Sequence, residues 1–150
     1  MSQLSTRQAS QADIGALGTL FDAYRQFYEQ AADLPLATAF IRERMTRNES
    51  SIFVAENQAG EMLGFCQLYP TFCSVIAAPV YVLSDLFVAP AARKAGAGKA
   101  LLLAAERHAK QTGFARLDLT TARTNLRAQS LYESLGWQRD EVFHAYNKLV

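Results

Sequence analysis

Five residues that could bind an anion fall within seven positions of the sequence: Arg93, Lys94, Gly96, Gly98 and Lys99. An apolar run precedes them and an alanine- and leucine-rich run follows, which predicts a strand, a turn and then a helix. The amides of a helix's first turn lack intrahelical acceptors and the helix dipole is positive there, so this turn attracts negative groups. Glycines let the backbone approach such a group closely. The stretch therefore predicts a phosphate or pyrophosphate site.

Two common phosphate-binding motifs do not match this stretch. A Walker A loop needs a Ser or Thr after its Gly-Lys pair to hold Mg²⁺, but Ala100 follows Lys99, and Arg93 stands where the first glycine is required. A dinucleotide fingerprint needs a third glycine at the position of Leu101, and it also needs a fully parallel sheet. The anion therefore has to be held in another way.

The composition limits the class of protein. The chain has 150 residues, 50% of them hydrophobic, and a formal net charge of +1. We therefore expect a single domain over residues 1–150 and no nucleic-acid partner, because nucleic-acid-binding domains usually carry a strong basic excess. With no secretory leader pattern and no run of about 18 apolar residues, we expect a cytoplasmic protein with no membrane partner. Cys66 and Cys73 lack metal-ligand spacing, so we expect free thiols and no metal site.

Periodicity and turn residues predict the elements that position the anion-binding stretch. The expected order is a strand at Leu4–Ala9, helices at Ser10–Gln30 and Leu36–Arg47 around a break at Ala31–Pro35, strands at Ser51–Glu56, Met62–Val75 and Val80–Val88, a helix at Gly96–Thr112, a strand at Ala115–Thr120, a helix at Asn125–Leu135, and strands at Trp137–Arg139 and Val142–Leu149. Short links make the three middle strands antiparallel, and a strand–helix–strand unit makes the next one parallel. The predicted fold class is α/β, with a mixed central sheet and helices on both faces.

The hexapeptide Arg93-Lys-Ala-Gly-Ala-Gly98 resembles the Arg/Gln-x-x-Gly-x-Gly/Ala signature of the Gcn5-related N-acetyltransferases (GNAT), which bind acetyl-CoA. The segment Asn125–Trp137 is similar to the later motif of that family, Asn…Ala…Tyr-Glu…Gly-Phe/Trp, and the element order matches along nearly all of the chain. Lys94 and Ala97 depart from the family, which often has Gly and Ile at these positions. The resemblance implies acetyl-CoA as the cofactor and a sheet whose two parallel strands splay apart.

The same resemblance implies which residues bind acetyl-CoA. The backbone of Leu86, Phe87 and Val88 would pair with the pantetheine arm, and unpaired amides there could polarise the thioester carbonyl. The pyrophosphate would be held by the loop and helix N-terminus, that is, by Arg93, Lys94, Ala95, Gly96, Ala97, Gly98 and Lys99. Asn125 would contact the cofactor by the family match, whereas its residue type is equally explained by an N-cap.

Two residues are candidates for proton transfer. By the family match, Tyr132 contacts the cofactor and is the general acid for the departing thiolate, although its spacing also suits a core aromatic. A thiol pKa of roughly 8.5 and a tyrosine pKa of roughly 10 make this donation feasible. Asp85 could be the base, bind a cationic amine or be structural. It lies in Tyr81–Val88, which resembles the strand of polyamine-acetylating members, except that Ser84 stands where they carry Glu.

Substrate selection in this family comes from the first two helices and nearby strands. Tyr24, Tyr28, Tyr69 and Phe72 are candidate acceptor-site aromatics, with core packing as the alternative. The run Tyr24–Tyr28 resembles the subset that includes yeast histone and polyamine acetyltransferases, which implies a small basic amine. The resulting prediction is acetyl transfer from acetyl-CoA to a primary amine of a small molecule or peptide, by direct attack in a ternary complex.

Two alternatives to this function remain at the level of sequence. A protein of the same fold could bind acetyl-CoA as a sensor, and it would then bind the cofactor without releasing CoA. A nucleotide-binding module would be protected against heat by ATP or NAD and not by CoA. The family resemblance also implies a homodimer formed through the terminal strands.

Overall fold

The computed structural model describes residues 3–150, which form two compact units, one ending at Leu119 and the other beginning at Thr120. The first unit contains β1 (Leu4–Gln8), α1 (Ile14–Phe27), α2 (Leu34–Thr46), β2 (Ser51–Asn57), β3 (Met62–Cys73), β4 (Ala78–Val88), α3 (Ala97–Gln111) and β5 (Leu117–Asp118), and the second contains α4 (Leu126–Ser134). A single domain over the whole chain stays a prediction. Within residues 3–150, no helix has the length and apolar character that crossing a membrane requires.

The sheet of the first unit has the strand order β1-β2-β3-β4-β5. Neighbours from β1 to β4 are antiparallel, and β4 and β5 are parallel, with Tyr81 opposite Leu117. This confirms the predicted mixed sheet. The last strand is shorter than the predicted Ala115–Thr120, because only Leu117 and Asp118 are paired in the ladder with β4.

Helices cover both faces of this sheet, as the sequence predicts. On one face, Val54 and Phe65 join a buried apolar cluster with Phe21 of α1 and with α2. On the other face, Phe53 packs against His108 of α3, with ring centroids 5.0 Å apart. Because side chains alternate along a strand, adjacent residues of β2 serve the two separate cores. Burial of these apolar faces is the main force that holds the helices on the sheet.

The second helix begins earlier than predicted. Pro35 was expected to end a break, but α2 starts at Leu34 and takes Pro35 into its first turn. Asp33 is the N-cap, and its carboxylate accepts a hydrogen bond from the Leu36 amide at 3.1 Å. A proline is compatible with a helix there because an N–H in the first turn has no intrahelical acceptor.

The predicted terminal strands, Trp137–Arg139 and Val142–Leu149, are wrong. Residues 137–150 contain no strand in the structure. The Asp140 side chain accepts hydrogen bonds from the amides of Val142 and Phe143 at 2.8 and 3.1 Å. A side chain that takes consecutive amides in this way stabilises a turn instead of a strand ladder.

An ion pair in the first unit predicts acid sensitivity. The Arg7 guanidinium donates two 2.8 Å hydrogen bonds to the Asp13 carboxylate, and this lowers the pKa of Asp13 to about 2. A lowered pKa means that the ionised form stabilises the fold above about pH 4 and that this stabilisation is lost as the pH falls through about 2. We expect Asp13→Asn to lower the free energy of unfolding by about 2 kcal/mol at pH 7.

Urea unfolding of this variant at pH 7 and pH 3 measures the effect, which should shrink at the lower pH. Asp118→Asn is the matched control, because its carboxylate pairs with Arg116 on the surface, at 2.7 Å, and exposed pairs contribute little. An Asp13→Asn effect no larger than that of Asp118→Asn would contradict this prediction.

Candidate functional site

A β-bulge in β4 decides where Asp85 points. Asp85 lies opposite Gln67 and Leu83 lies opposite Leu68, so Ser84 is an extra residue with no cross-strand partner. Before the bulge, Tyr81 faces α3, where its hydroxyl lies 3.1 Å from the His108 ring. After it, the side chains of Asp85 and Phe87 lie on the opposite face, which packs against α1. Because of this extra residue, odd-numbered positions of β4 face α3 before the bulge and α1 after it.

The Asp85 carboxylate is held inside a chain of polar side chains. It is 6% exposed, and the Gln67 side-chain amide donates to its Oδ2 at 2.5 Å. Ser50 Oγ in turn donates to Gln67 Oε1 at 2.7 Å. Burial raises the pKa of Asp85, against the opposing effect of hydrogen bonds from Gln67, Tyr24 and Ser84. A carboxylate with a raised pKa accepts a proton more readily than an exposed one.

Aromatic rings from α1 surround the approach to Asp85. The Tyr24 hydroxyl donates to the Ser84 carbonyl at 3.2 Å, and its ring lies 6.0 Å from Phe87. The Tyr28 ring lies 5.2 Å from both Tyr24 and Phe27, and 49% of Tyr28 is exposed. These rings run from the buried carboxylate to the surface of the first unit.

The structure places the other two predicted aromatics differently. Tyr69 is half-buried, and its pKa is raised to about 12 by burial and by the nearby Asp85. Phe72 lies near the turn between β3 and β4, is 78% exposed, and has no ring contact within residues 3–150. Tyr69 therefore faces the Asp85 carboxylate, whereas Phe72 is not brought into the cluster.

The edge of β4 that faces β5 is open beyond Val82. Ladder pairing between the two parallel strands is confined to Tyr81 and Val82, so the backbone of Leu86, Phe87 and Val88 has no β5 partner in the described chain. On the other side, β3 holds this segment closely: a Cβ added to Gly64 would lie 2.7 Å from the Phe87 carbonyl oxygen. The open edge could therefore pair with an extended ligand, in the manner of an added strand.

The loop before α3 presents amides and cations together. Gly96 is the N-cap with φ +86°, and the Ala100 amide is the first to bond the Gly96 carbonyl, at 3.0 Å. The amides of Ala97, Gly98 and Lys99 precede it in the first turn, where helix geometry supplies no acceptor. The side chains of the three cations Arg93, Lys94 and Lys99 are exposed, and α3 has no acidic residue in its first turn. This arrangement fits a bound diphosphate.

Arg93 also contacts the aromatic cluster. Its Nε donates to the Val88 carbonyl at 3.3 Å, and its guanidinium lies 5.9 Å from the Phe27 ring and 5.8 Å from the Phe87 ring. The guanidinium is thus held over aromatic faces at the end of β4. The loop and the α1 aromatics are therefore neighbouring parts of one surface in the first unit.

Lys94 adopts a left-handed backbone conformation, with φ +76°. Residues with a Cβ are disfavoured there by about 1 kcal/mol, whereas glycine is not. We expect Lys94→Gly to be more stable to unfolding than Lys94→Ala by about 1 kcal/mol, because both variants lose the same charge and only the first relieves the strain. Thermal unfolding of the pair measures the difference. Equal stability would contradict the prediction.

Two predicted site residues lie in the second unit. Asn125 is the N-cap of α4, and its side chain accepts a hydrogen bond from the Ala128 amide at 3.2 Å. Tyr132 is partly buried, with its ring 6.0 Å from that of Trp137. The Trp137 amide also donates to the Tyr132 carbonyl at 3.1 Å, so the end of α4 is tied to the residue that follows its terminal glycine.

Sequence reasoning did not single out Gln67 and Ser50. Gln67 is the only polar side chain in the run Phe65-Cys-Gln-Leu68, which is 0% exposed. A polar residue in a central apolar strand needs a buried partner, and this signal could have drawn attention to it. Ser50 carries no comparable signal, because it follows a turn and looks like an ordinary surface serine.

Comparison with known proteins identifies relatives along most of the chain. The model of the Acetyltransferase (GNAT) family matches residues 17–137. An "Uncharacterized N-acetyltransferase YhfO" of Bacillus subtilis is 48% identical over 143 residues, which cover 95% of each chain. The crystal structure of a probable acetyltransferase aligns with a TM-score of 0.91 and 34% identity over 97% of both chains. The aminoglycoside N-acetyltransferase AAC(6')-Iy in complex with CoA has the same fold, with a TM-score of 0.82 at 21% identity.

Proposed function

This chain belongs to the GNAT family of acetyltransferases, and from that premise we propose that it transfers acetyl from acetyl-CoA to a primary amine by direct attack in a ternary complex. The observation that carries the proposal is the buried Asp85 carboxylate beside the open edge of β4. That geometry offers a proton acceptor next to a backbone edge suited to an extended ligand. The family uses acetyl-CoA, which when bound would supply a thioester as the activated acetyl group.

The residues proposed to hold acetyl-CoA are those of the open edge and of the loop before α3. The open edge of Leu86, Phe87 and Val88 would pair with the pantetheine arm through the backbone groups that point away from β3, because β5 leaves that side unpaired. The Phe87 carbonyl points toward Gly64 of β3 and the Val88 carbonyl accepts from Arg93, so these two groups are already engaged. The residues from Arg93 to Lys99 would bind the pyrophosphate through amides and exposed cations. Asn125 is proposed as a further contact on the family pattern alone.

Asp85 is proposed to take the proton that the amine must lose. An alkylammonium has a pKa of roughly 10.4 and is not a nucleophile until it is deprotonated. Transfer of its proton to the carboxylate gives a neutral amine and a protonated Asp85, and the amine lone pair then attacks the acetyl carbonyl. The raised pKa of Asp85 favours this step, since burial destabilises the charged carboxylate. As the C–N bond forms and the C–S bond breaks, Tyr132 is proposed, from its match to the family motif, to give a proton to the departing thiolate. The proton that the nitrogen must still lose to become an amide would restore the phenol.

The acceptor is proposed to be a small basic amine. Tyr24, Tyr28 and Tyr69 supply aromatic faces around a carboxylate, which together suit a cation. Ser84 is the bulge residue, with its carbonyl held by Tyr24, and it would line the same approach. A homodimer and a cytoplasmic location stay predictions.

A screen for CoA release tests the proposed function. Acetyl-CoA is supplied with diamines, polyamines, amino acids and basic peptides, and free thiol is detected over time. We expect release above the hydrolysis background with at least one basic amine, and an acetylated product by mass spectrometry. Binding of CoA by calorimetry without release for any amine would instead indicate a sensor, and it would overturn the proposal.

A further inference from the structure

Gln67 connects the two strands at the centre of the first unit. It lies directly opposite Asp85 in the β3–β4 ladder, and none of its surface is exposed. Its Nε2 donates to Asp85 Oδ2 at 2.5 Å, and its Oε1 accepts from Ser50 Oγ at 2.7 Å. A buried amide and a buried carboxylate are both costly without partners, so this chain of hydrogen bonds determines how the two side chains can be oriented.

We propose that Gln67, anchored by Ser50, is a positioning residue that orients the Asp85 carboxyl and controls its exchange of a proton with the acceptor amine. The inference rests on the proposed function, in which Asp85 receives that proton. It adds two residues that would not touch the substrate or the thioester. Their effect would pass through the hydrogen bond between Gln67 and Asp85.

The three groups can satisfy one another in both protonation states of Asp85. With Asp85 ionised, Gln67 donates to the carboxylate and accepts from Ser50. When the ammonium gives its proton to Asp85, the carboxyl gains an O–H and becomes a donor. A half-turn of the Gln67 amide then presents Oε1 to that O–H and Nε2 to Ser50 Oγ, because a hydroxyl can accept as well as donate. The reverse rotation accompanies loss of the proton.

Of the polar groups around Asp85, Gln67 has the largest effect on the pKa of its carboxyl. Tyr24 approaches from α1, Gln67 from β3, and Ser84 lies beside it on β4. Burial raises the pKa of Asp85, and of the hydrogen bonds that oppose this shift the one from Gln67 lowers the pKa most. Tyr69 lies near the charges of Asp85, Arg44 and Glu49, and its pKa, raised to about 12 chiefly by burial, keeps it neutral. A side-chain hydrogen bond with Gln67 opposes that shift, so Tyr69 is also a partner of the Gln67 amide.

On the face of the sheet that α3 covers, Cys66 is fully buried, and burial raises its pKa to about 12. Within residues 3–150, no cationic side chain contributes to the Asp85 pKa shift. Removal of the Gln67 donor should therefore make the ionised carboxylate harder to form.

The pH dependence of CoA release tests this positioning role. Gln67→Met keeps the side-chain length and removes the hydrogen bonds of Gln67 to Asp85, Ser50 and Tyr69, and Ser50→Ala removes only the anchor. We expect the acidic limb of kcat/KM to move up by about one pH unit in Gln67→Met, and by less in the same direction in Ser50→Ala. Gln58→Met is the control, since Gln58 lies in the exposed β2–β3 turn and its side chain donates to the exposed Gln3 side chain. If the acidic limb of the pH profile of kcat/KM does not move in either Gln67→Met or Ser50→Ala, the proposal is overturned.

A second readout does not depend on activity. Infrared titration follows the C=O stretch of protonated Asp85, which is assigned by its absence in Asp85→Asn. We expect its midpoint to rise in Gln67→Met and in Ser50→Ala, and the second variant decides if the first does not fold. If the wild type releases no CoA with any amine, the proposed function fails, while an unshifted midpoint would show that the coupling between Gln67 and Asp85 is absent.

Discussion

Asp85→Asn is expected to lower kcat/KM for the amine acceptor by about 10²- to 10⁴-fold, the range typical of a lost general base. Asparagine has nearly the same shape as aspartate but cannot accept the ammonium proton. If Asp85 acts as the base, the loss should appear in kcat, and the acidic limb of the pH profile should disappear. If it only binds the cationic amine, KM should rise while kcat is retained.

The fold should tolerate this change. Because burial raises the pKa of Asp85, ionising it costs more free energy in the folded protein than in the unfolded chain, and this destabilising effect is present above the raised pKa. A neutral amide therefore should not reduce the melting temperature at pH 8. Glu61→Gln is the control, as its carboxylate bonds Asn57 in an exposed turn. Unchanged kcat and KM in a folded Asp85→Asn variant would rule out both chemical roles and leave a structural one.

Tyr132→Phe is expected to lower kcat by about 10²-fold or more while leaving the affinity for CoA nearly unchanged. The phenol is proposed to protonate the departing thiolate, and phenylalanine retains the ring packing near Trp137 without the O–H. Stopped-flow CoA release and calorimetric titration of CoA measure the two quantities separately.

Tyr146→Phe provides the matched control for this variant, because Tyr146 is highly exposed in the terminal segment. It should retain full turnover. Normal turnover of Tyr132→Phe together with normal CoA binding would show that Tyr132 is not the general acid. A loss confined to CoA affinity would instead make Tyr132 a cofactor contact with no role in proton transfer.

Features that depend on nearby residues could be predicted from the sequence. The strand–loop–helix unit around Arg93–Gly98 was predicted correctly, and so was the antiparallel order of β2, β3 and β4. Turn glycines, apolar periodicity and short connections act over a few residues, so their signals are visible in one dimension. The structure also explains why the family often has glycine where this chain has Lys94, since that residue has a positive φ.

Predictions failed where a distant or unexpected partner decided the outcome. The sequence predicts a break that ends at Pro35, but the Asp33 cap places this proline within the first turn of α2. The terminal segment has the alternation of strands, yet Asp140 binds the amides of Val142 and Phe143. Alternation indicates which face a residue would occupy in a sheet, and it does not supply the neighbouring strand that a ladder requires.

By itself, the sequence determined the family, the loop that suits a diphosphate, and the identity of Asp85 and Tyr132 as candidates for proton transfer. Only the tertiary structure decided that Ser84 is a bulge, that Asp85 therefore faces α1, and that Gln67 and Ser50 hold it there. The physical reason is that a bulge is a property of the register between two strands. A single extra residue in β4 moves a carboxylate from one face of the sheet to the other, and no local pattern in either strand records which register the pair adopts.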